Sequence, residues 1–339
     1  MTLLPLLVSV VTEVLAPILL MVGVGALLRL RFKLDLGTLA KLNLWVFSPA
    51  FVFDRVAFST LPWSAMGGVV LVTCLQVAAL GALVWGIGRL VGARRQTLTA
   101  VALATMFYNA GNYGIPLAEL AYPSRLGEKD GAAVQAVVVM CQNLLNFTVG
   151  MVLATWAARG GEGGGEVGGR SGLGWGGVVR ATLTLPAVPV LLLAVLARLY
   201  LESSEGASLP VAVTKTTSYL SMGLVPVALV TLGAQLASSW RWPRWRPVGL
   251  VVVLRLVAAP AVMAGLLWVL GRVGVLDLWP WPAELLIVTA AVPTAVNTLL
   301  LTIETGGDTE LAADCVMWTT LLSPLTLGIT LALVRWGFS

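Results

Sequence analysis

The chain has 339 residues, of which 58% are hydrophobic and only 11% charged, with a mean hydropathy of +0.93. Soluble domains carry about 25% charged residues, so this composition excludes a water-soluble globular protein and indicates one built for lipid. The formal net charge of +5 does not mark a nucleic-acid partner, because the cationic residues concentrate in alternate loops between apolar stretches.

Ten apolar segments of roughly 20 or more residues, the length that spans a bilayer as a helix, fall near 5–29, 37–58, 65–91, 97–122, 131–158, 176–200, 210–237, 247–271, 283–304 and 309–336. The expected fold class is an all-α polytopic membrane protein with ten transmembrane helices. The loops after segments one, three, five and seven hold Arg29, Arg31, Lys33, Arg89, Arg94, Arg95, Arg159, Arg170, Arg180, Arg241, Arg244 and Arg246. The opposite side holds half as many, and the positive-inside rule then puts both termini outside the cell membrane, a bacterial inner membrane by expectation.

Segment one follows Met1-Thr-Leu-Leu without the basic region of a cleavable signal, so it is expected to be retained. Segments two and seven each carry a mid-span proline, Pro49 and Pro226, and Lys41 and Lys215 near their starts are expected to snorkel. Segment three carries Gln76 and Cys74; with Cys141 and Cys315 the thiols fall inside apolar spans and read as small buried side chains. The chain has no histidine, which excludes histidine-based metal, triad and proton-relay chemistry. No cofactor is expected.

Segment four is broken by Asn109-Ala-Gly111-Asn112-Tyr-Gly114-Ile-Pro116, and Glu119 follows three residues later. Segment five holds Gln142, Asn143 and Asn146, with Gln142 and Asn146 on one face. Residues 160–177 are the clear linker: eleven of the eighteen are glycine, which gives a flexible coil and lacks the Gly-Lys-Ser/Thr of a phosphate loop. Segment eight carries Arg255 mid-span. Segment nine is interrupted at Pro293-Thr-Ala-Val-Asn297, and segment ten carries Asp314 about one turn inside. Charges inside a membrane are costly and mark function by default, so Arg255, Glu119 and Asp314 are candidates for ion or proton support; Gln76, uncharged and polar at mid-span, is a further candidate.

The linker divides the spans five and five. A duplicated half of five spans must re-enter the membrane upside down, giving an inverted repeat. Asp130–Trp156 lies on Asp308–Val334 without gaps, which pairs Thr148 with Thr326 and Gly150 with Gly328. The expected units are residues 1–159, the linker 160–177, and 178–339. Two proline-broken segments at matching places in the repeats indicate a carrier's binding site. A helix that restarts after a break offers free N–H groups and a positive dipole end to an anion. Asn109, Asn112 and Asn297 add amide donors, while Gly111, Gly114, Pro116 and Pro293 are expected to make the breaks.

The run Asn109-x-Gly-Asn112-x-Gly-x-Pro116-Leu117, the pattern around Pro293 and Asn297, and Thr319-Thr320-Leu-Leu-Ser323-Pro324 resemble the auxin efflux carrier family. That family lies in the superfamily of bile acid, arsenite and riboflavin transporters. The resemblance implies a crossover fold in which helices four and nine break and cross at mid-membrane. It also implies transport helices 3–5 and 8–10 moving against scaffold helices 1, 2, 6 and 7, often as a homodimer. It places Gln142 and helix five beside the crossing, and it implies an organic anion as substrate, a mono- or dicarboxylate in bacteria. The expected function is a secondary active, elevator-type carrier; the alternative is a sodium-coupled symporter of the bile-acid type. A membrane-embedded lipid-processing enzyme, which would need a nucleophile, metal site or catalytic carboxylate pair, is the alternative from another class.

Overall fold

The computed structural model describes residues 3–32, 34–123, 130–158, 187–203, 206–238 and 242–337. The Gly-rich linker and the start of segment six lie outside them. Among the described residues every regular element is helical. Seven helices are long and apolar enough to cross a membrane: α1 (Leu4–Arg31), α2 (Leu36–Ala57), α3 (Trp63–Leu90), α6 (Gly131–Ala157), α8 (Val211–Ser238), α9 (Trp245–Arg272) and α12 (Thr309–Gly337). Each coincides with an expected segment.

The remaining expected segments take other forms. Segment four is split into α4 (Arg95–Met106) and α5, a π-helical turn Ala110–Gly114 running into Ile115–Ala121. Segment nine is split into α10 (Ala283–Thr289) and α11 (Val296–Glu304). Segment six is described from Ala187 to Ser203, here α7. The outward surface is apolar where a soluble protein would be charged: Leu20, Leu90, Tyr219 and Leu325 are each more than 70% exposed. An apolar surface of this extent is one that lipid covers.

Five π-helical turns interrupt the helices among the described residues, and four of them end two residues before a proline. Val10–Leu15 precedes Pro17, Asn43–Phe47 precedes Pro49, Ala110–Gly114 precedes Pro116, and Leu254–Ala258 precedes Pro260. A proline supplies no N–H and its ring presses on the carbonyl four residues back, so the preceding turn widens. The fifth turn, Asn146–Gly150, has no following proline; the Thr148 hydroxyl donates to the Leu144 carbonyl at 2.7 Å and draws it from the ladder. Pro226 and Pro324 sit inside α8 and α12 with no π turn beside them.

Packing sorts the helices into two groups. In one, α1 and α2 lie against α8, and α2 against α7. In the other, α3 packs on α4, α6 and α9, while α12 packs on α4, α9, α10 and α11. The two groups meet through α1 against α12 and α2 against α6. On the loop side, Asp35 caps the start of α2 by accepting from the Gly37 amide at 3.0 Å and the Thr38 hydroxyl at 2.5 Å. Those bonds, Thr38 foremost, hold its carboxyl below the usual carboxylate range.

The α1–α8 contact is set by two glycines. A Cβ on Gly25 would lie 2.0 Å from the Val230 carbonyl oxygen, and one on Gly233 would lie 1.9 Å from the Val22 carbonyl oxygen. The two backbones thus touch reciprocally, as small residues allow in lipid. Gly25→Ala or Gly233→Ala should therefore cost about 1–3 kcal/mol through overpacking, read as a fall in melting temperature in detergent. Gly23→Ala, where a Cβ meets nothing within 4 Å, should leave that temperature unchanged.

Candidate functional site

The breaks in segments four and nine meet. After α4 the chain extends through Phe107 (φ −110°, ψ 126°) to Asn109. Before α11 it extends to Ala295 (φ −69°, ψ 136°). The two extended pieces run antiparallel and pair at Tyr108 and Thr294. The Asn109 amide donates to the Pro293 carbonyl at 2.8 Å, and the Ala295 amide donates to the Phe107 carbonyl at 3.1 Å. Each break thereby satisfies backbone groups that the other leaves open, which is what lets non-helical chain persist among apolar helices. Thr294 adds two further ties: its amide donates to the Thr319 hydroxyl at 3.1 Å, and its own hydroxyl donates to the Ala104 carbonyl at 2.8 Å.

The prolines act differently from one another. Pro293 lies between α10 and α11. Pro116 does not stand at a break: segment four parts at Phe107–Asn109, and Pro116 instead stands beyond the π turn that carries Gly111, Asn112 and Gly114. Gly111 and Gly114 likewise lie in that turn and not in the extended link. A Cβ on Gly114 would come within 2.4 Å of the Gln135 amide nitrogen, so this glycine makes room for Gln135.

A guanidinium ties the two paired breaks together. Arg255 is completely buried, and its Nη1 donates to the Thr105 carbonyl at 2.8 Å while Nη2 donates to the Ala290 carbonyl. Thr105 is in the last turn of α4 and Ala290 caps α10, so one fixed cation holds the negative ends of both half-helices. Its central carbon also lies 4.7 Å from the Tyr108 ring centroid. Among the described residues no carboxylate pairs with it. Gln76 is buried and reaches the Ala259 carbonyl at 3.4 Å, one turn along α9 from Arg255.

Polar amides lie near the paired breaks. Asn109 accepts the Asn112 amide on its side-chain oxygen at 3.1 Å, capping the restarted helix. The Asn112 side-chain oxygen accepts from Asn43 Nδ2 at 2.6 Å. Gln142 lies beside the Tyr108 hydroxyl. Asn146 is 2% exposed, and it adjoins Phe107 and Leu301 around Gly150. Asn109 Nδ2, Asn43 Oδ1 and both amide atoms of Asn146 are buried without a hydrogen-bond partner. An orphaned buried polar atom costs about 1–3 kcal/mol, and here several gather round one crossing. Asn297 stands in the first turn of α11, partly exposed.

Two candidates fall elsewhere. Glu119 forms an ion pair with Arg55 at 2.8 Å, tying α5 to α2 away from Arg255. Asp314 is buried near the start of α12, within electrostatic reach of Arg244, which itself binds Asp308 at 2.5 Å. Conversely, sequence reading passed over Asn43 and Gln135. Asn43 repeats the pattern of Asn112, an asparagine in a π turn shortly before a proline, and that spacing could have revealed it. Gln135 donates to the Ala110 carbonyl at 2.8 Å; it stands seven residues before Gln142 on the same helix, and that spacing could have drawn attention to it.

Residues 207–331 match the family model described as "Membrane transport protein". An "Uncharacterized transporter" from Methanothermobacter thermautotrophicus is 26% identical over 326 residues, covering 93% of this chain and 96% of that protein. Both likenesses are to membrane transport proteins. The matched region contains Arg255, Pro293, Asn297 and Thr319, whereas Asn109 and Asn112 lie outside it.

Removing the Arg255 charge should be far more damaging than removing that of Glu119. Arg255→Gln forfeits a charge-assisted bond to at least one half-helix end, about 1.5–3 kcal/mol, and should lower the melting temperature clearly. Glu119→Gln breaks a partly exposed pair worth about 1 kcal/mol or less and should shift it little.

Proposed function

We propose that this transporter is a secondary active carrier of a small organic anion, a mono- or dicarboxylate, held where segments four and nine cross. In this reading the ten spans are two inverted five-helix repeats, residues 1–159 and 178–339, and the crossing lies at mid-membrane. The group containing α3–α6 and α9–α12 moves as a transport unit against a scaffold of α1, α2, α7 and α8. Both termini are outside, and the assembly is a homodimer.

The observation that carries the proposal is the paired break at Tyr108 and Thr294, with a restarting helix on either side. A Cβ on Gly111 would meet nothing within 4 Å, so there is space beside the restarting turn, and the first turn of α11 is partly exposed. Helix starts attract anions. Asn112 and Asn297 supply neutral donors there, and the unpartnered amides of Asn109 and Asn146 supply more. Because these donors carry no net charge, a carboxylate can bind and still be released.

Arg255 bears on the choice between coupling modes. A sodium ion at such a crossing would be coordinated by carbonyl oxygens at half-helix C-termini. Here the guanidinium takes the Thr105 and Ala290 carbonyls, so a permanent cation stands where a coupling ion would sit. The proposed carrier is therefore independent of sodium, and the sodium-coupled symporter is the second reading.

Uptake of radiolabelled mono- and dicarboxylates into proteoliposomes tests both points. Transport should be equal with sodium or choline outside; a strict sodium requirement would favour the symporter. Asn112→Ala and Asn297→Ala should each raise the apparent substrate constant about tenfold or more, the loss of a hydrogen bond to a charged group. Unchanged constants in both variants would remove the crossing as the binding site.

A further inference from the structure

A groove of about 330 Å³ runs along the outer face of the transporter between α3, α4 and α6, apart from the crossing. Its floor is Ala78, Gly81, Ala82 and Ala102, and Met106 closes its inner end. Val149 and Leu153 form one wall. Small residues on α3 keep the groove open, since Leu or Phe at Ala78 or Ala82 would fill it. The polar group in the lining is Thr99, one turn inside α4 from Arg95.

The mouth is different in kind. Trp85 and Trp156 flank it, 51% and 44% exposed. The Arg89 guanidinium stacks 3.8 Å from the Trp85 ring, and that of Arg95 stacks 3.9 Å from the Trp156 ring. Arg94 is exposed between them. None of the three has a carboxylate partner among the described residues. Stacking on indole fixes a guanidinium by its face and leaves its N–H edge free for a phosphate.

We propose that this groove holds one acyl chain of an anionic phospholipid, with its phosphate bound by Arg89, Arg94 and Arg95. Size supports the match: Ala78 to Trp85 is seven residues, about 10 Å along a helix, within the roughly 15 Å of one hydrocarbon leaflet. Position supports it too, because tryptophan and arginine together mark the headgroup level. Basic pockets between membrane helices are lipid headgroup sites, and three arginines within seven residues select the anionic headgroup over the zwitterionic one. Thr99 stands at the depth of the ester linkage, one turn below the arginines.

The site touches the machinery at a single point. Met106 is the last residue of α4, immediately before the extended Phe107. A chain in the groove therefore rests on the half-helix whose end Arg255 holds, and lipid occupancy steadies α4 against α3 and α6. This inference concerns a separate surface and stands whatever the substrate is.

Native mass spectrometry of the purified protein, titrated with dioleoyl phosphatidylglycerol or dioleoyl phosphatidylcholine, tests it without any transport measurement. The wild type should retain one phosphatidylglycerol per protomer after phosphatidylcholine has dissociated. Neutralising the mouth by Arg89→Gln, Arg94→Gln and Arg95→Gln should weaken retention about fivefold per arginine removed. These arginines are exposed, so the variants should fold normally, with an unchanged helical circular dichroism spectrum as the check. Ala82→Phe should abolish retention with all three arginines present. Equal retention of both lipids, or wild-type retention in the triple variant or in Ala82→Phe, would overturn the proposal. So would a second copy of the chain at this face, seen as a dimer without lipid that the same variants dissociate.

Discussion

One buried guanidinium binds two helix ends that would otherwise repel each other. The broken halves α4 and α10 both finish at the crossing, and each presents unsatisfied carbonyls and the negative end of its dipole. Arg255 donates to one carbonyl of each and faces the Tyr108 ring. A lysine could not do the same: its ammonium is a point charge, whereas the planar fork reaches two acceptors on different chains at once. The cost of burying a charge is offset because its partners are fixed dipoles already in place.

The crossing in turn organises the polar residues around it. Pairing of Tyr108 with Thr294 consumes part of the backbone hydrogen bonding at each break. Asn109 Nδ2 and the side-chain amide of Asn146 stay unpartnered near it. Four of the polar side chains near this region, Asn43, Asn112, Asn146 and Arg255, lie in π-helical turns. A widened turn rotates the side chains that follow and leaves carbonyls unpaired, which is why such turns recur at functional sites. Prolines produce most of them here, so the same residue type that spoils a regular helix aims the polar groups inward.

The apolar exterior and the glycine contact between α1 and α8 complete the frame. In lipid no hydrophobic effect drives helices together, so close van der Waals approach must do it. Gly25 and Gly233 permit that approach through backbone atoms alone. The alanines and glycine of α3 have the opposite result at Ala78, Gly81 and Ala82: among the described residues a groove remains beside them.

Much of this was legible in the chain. Helix length and hydropathy located the seven long helices because crossing a bilayer imposes a length on each apolar run. That segments four and nine are interrupted was suggested by asparagine, glycine and proline gathered within a few residues of an apolar run, although proline alone does not break a helix, as Pro226 and Pro324 show. Which residues face which was not legible. Glu119 and Asp314 look equivalent to Arg255 as charges within apolar segments, yet they lie beside Arg55 and Arg244, partners about 64 and 70 positions distant in the chain. Nor could spacing assign Pro116 to a π turn and the break to Phe107–Asn109, since the break is fixed by pairing with Pro293 and Ala295 across the fold. The sequence by itself determined where the chain is helical and where it must be interrupted, because backbone satisfaction in lipid is a local demand. Only the tertiary structure decided that the two interruptions satisfy each other and share one arginine, because those bonds join residues brought together by packing alone.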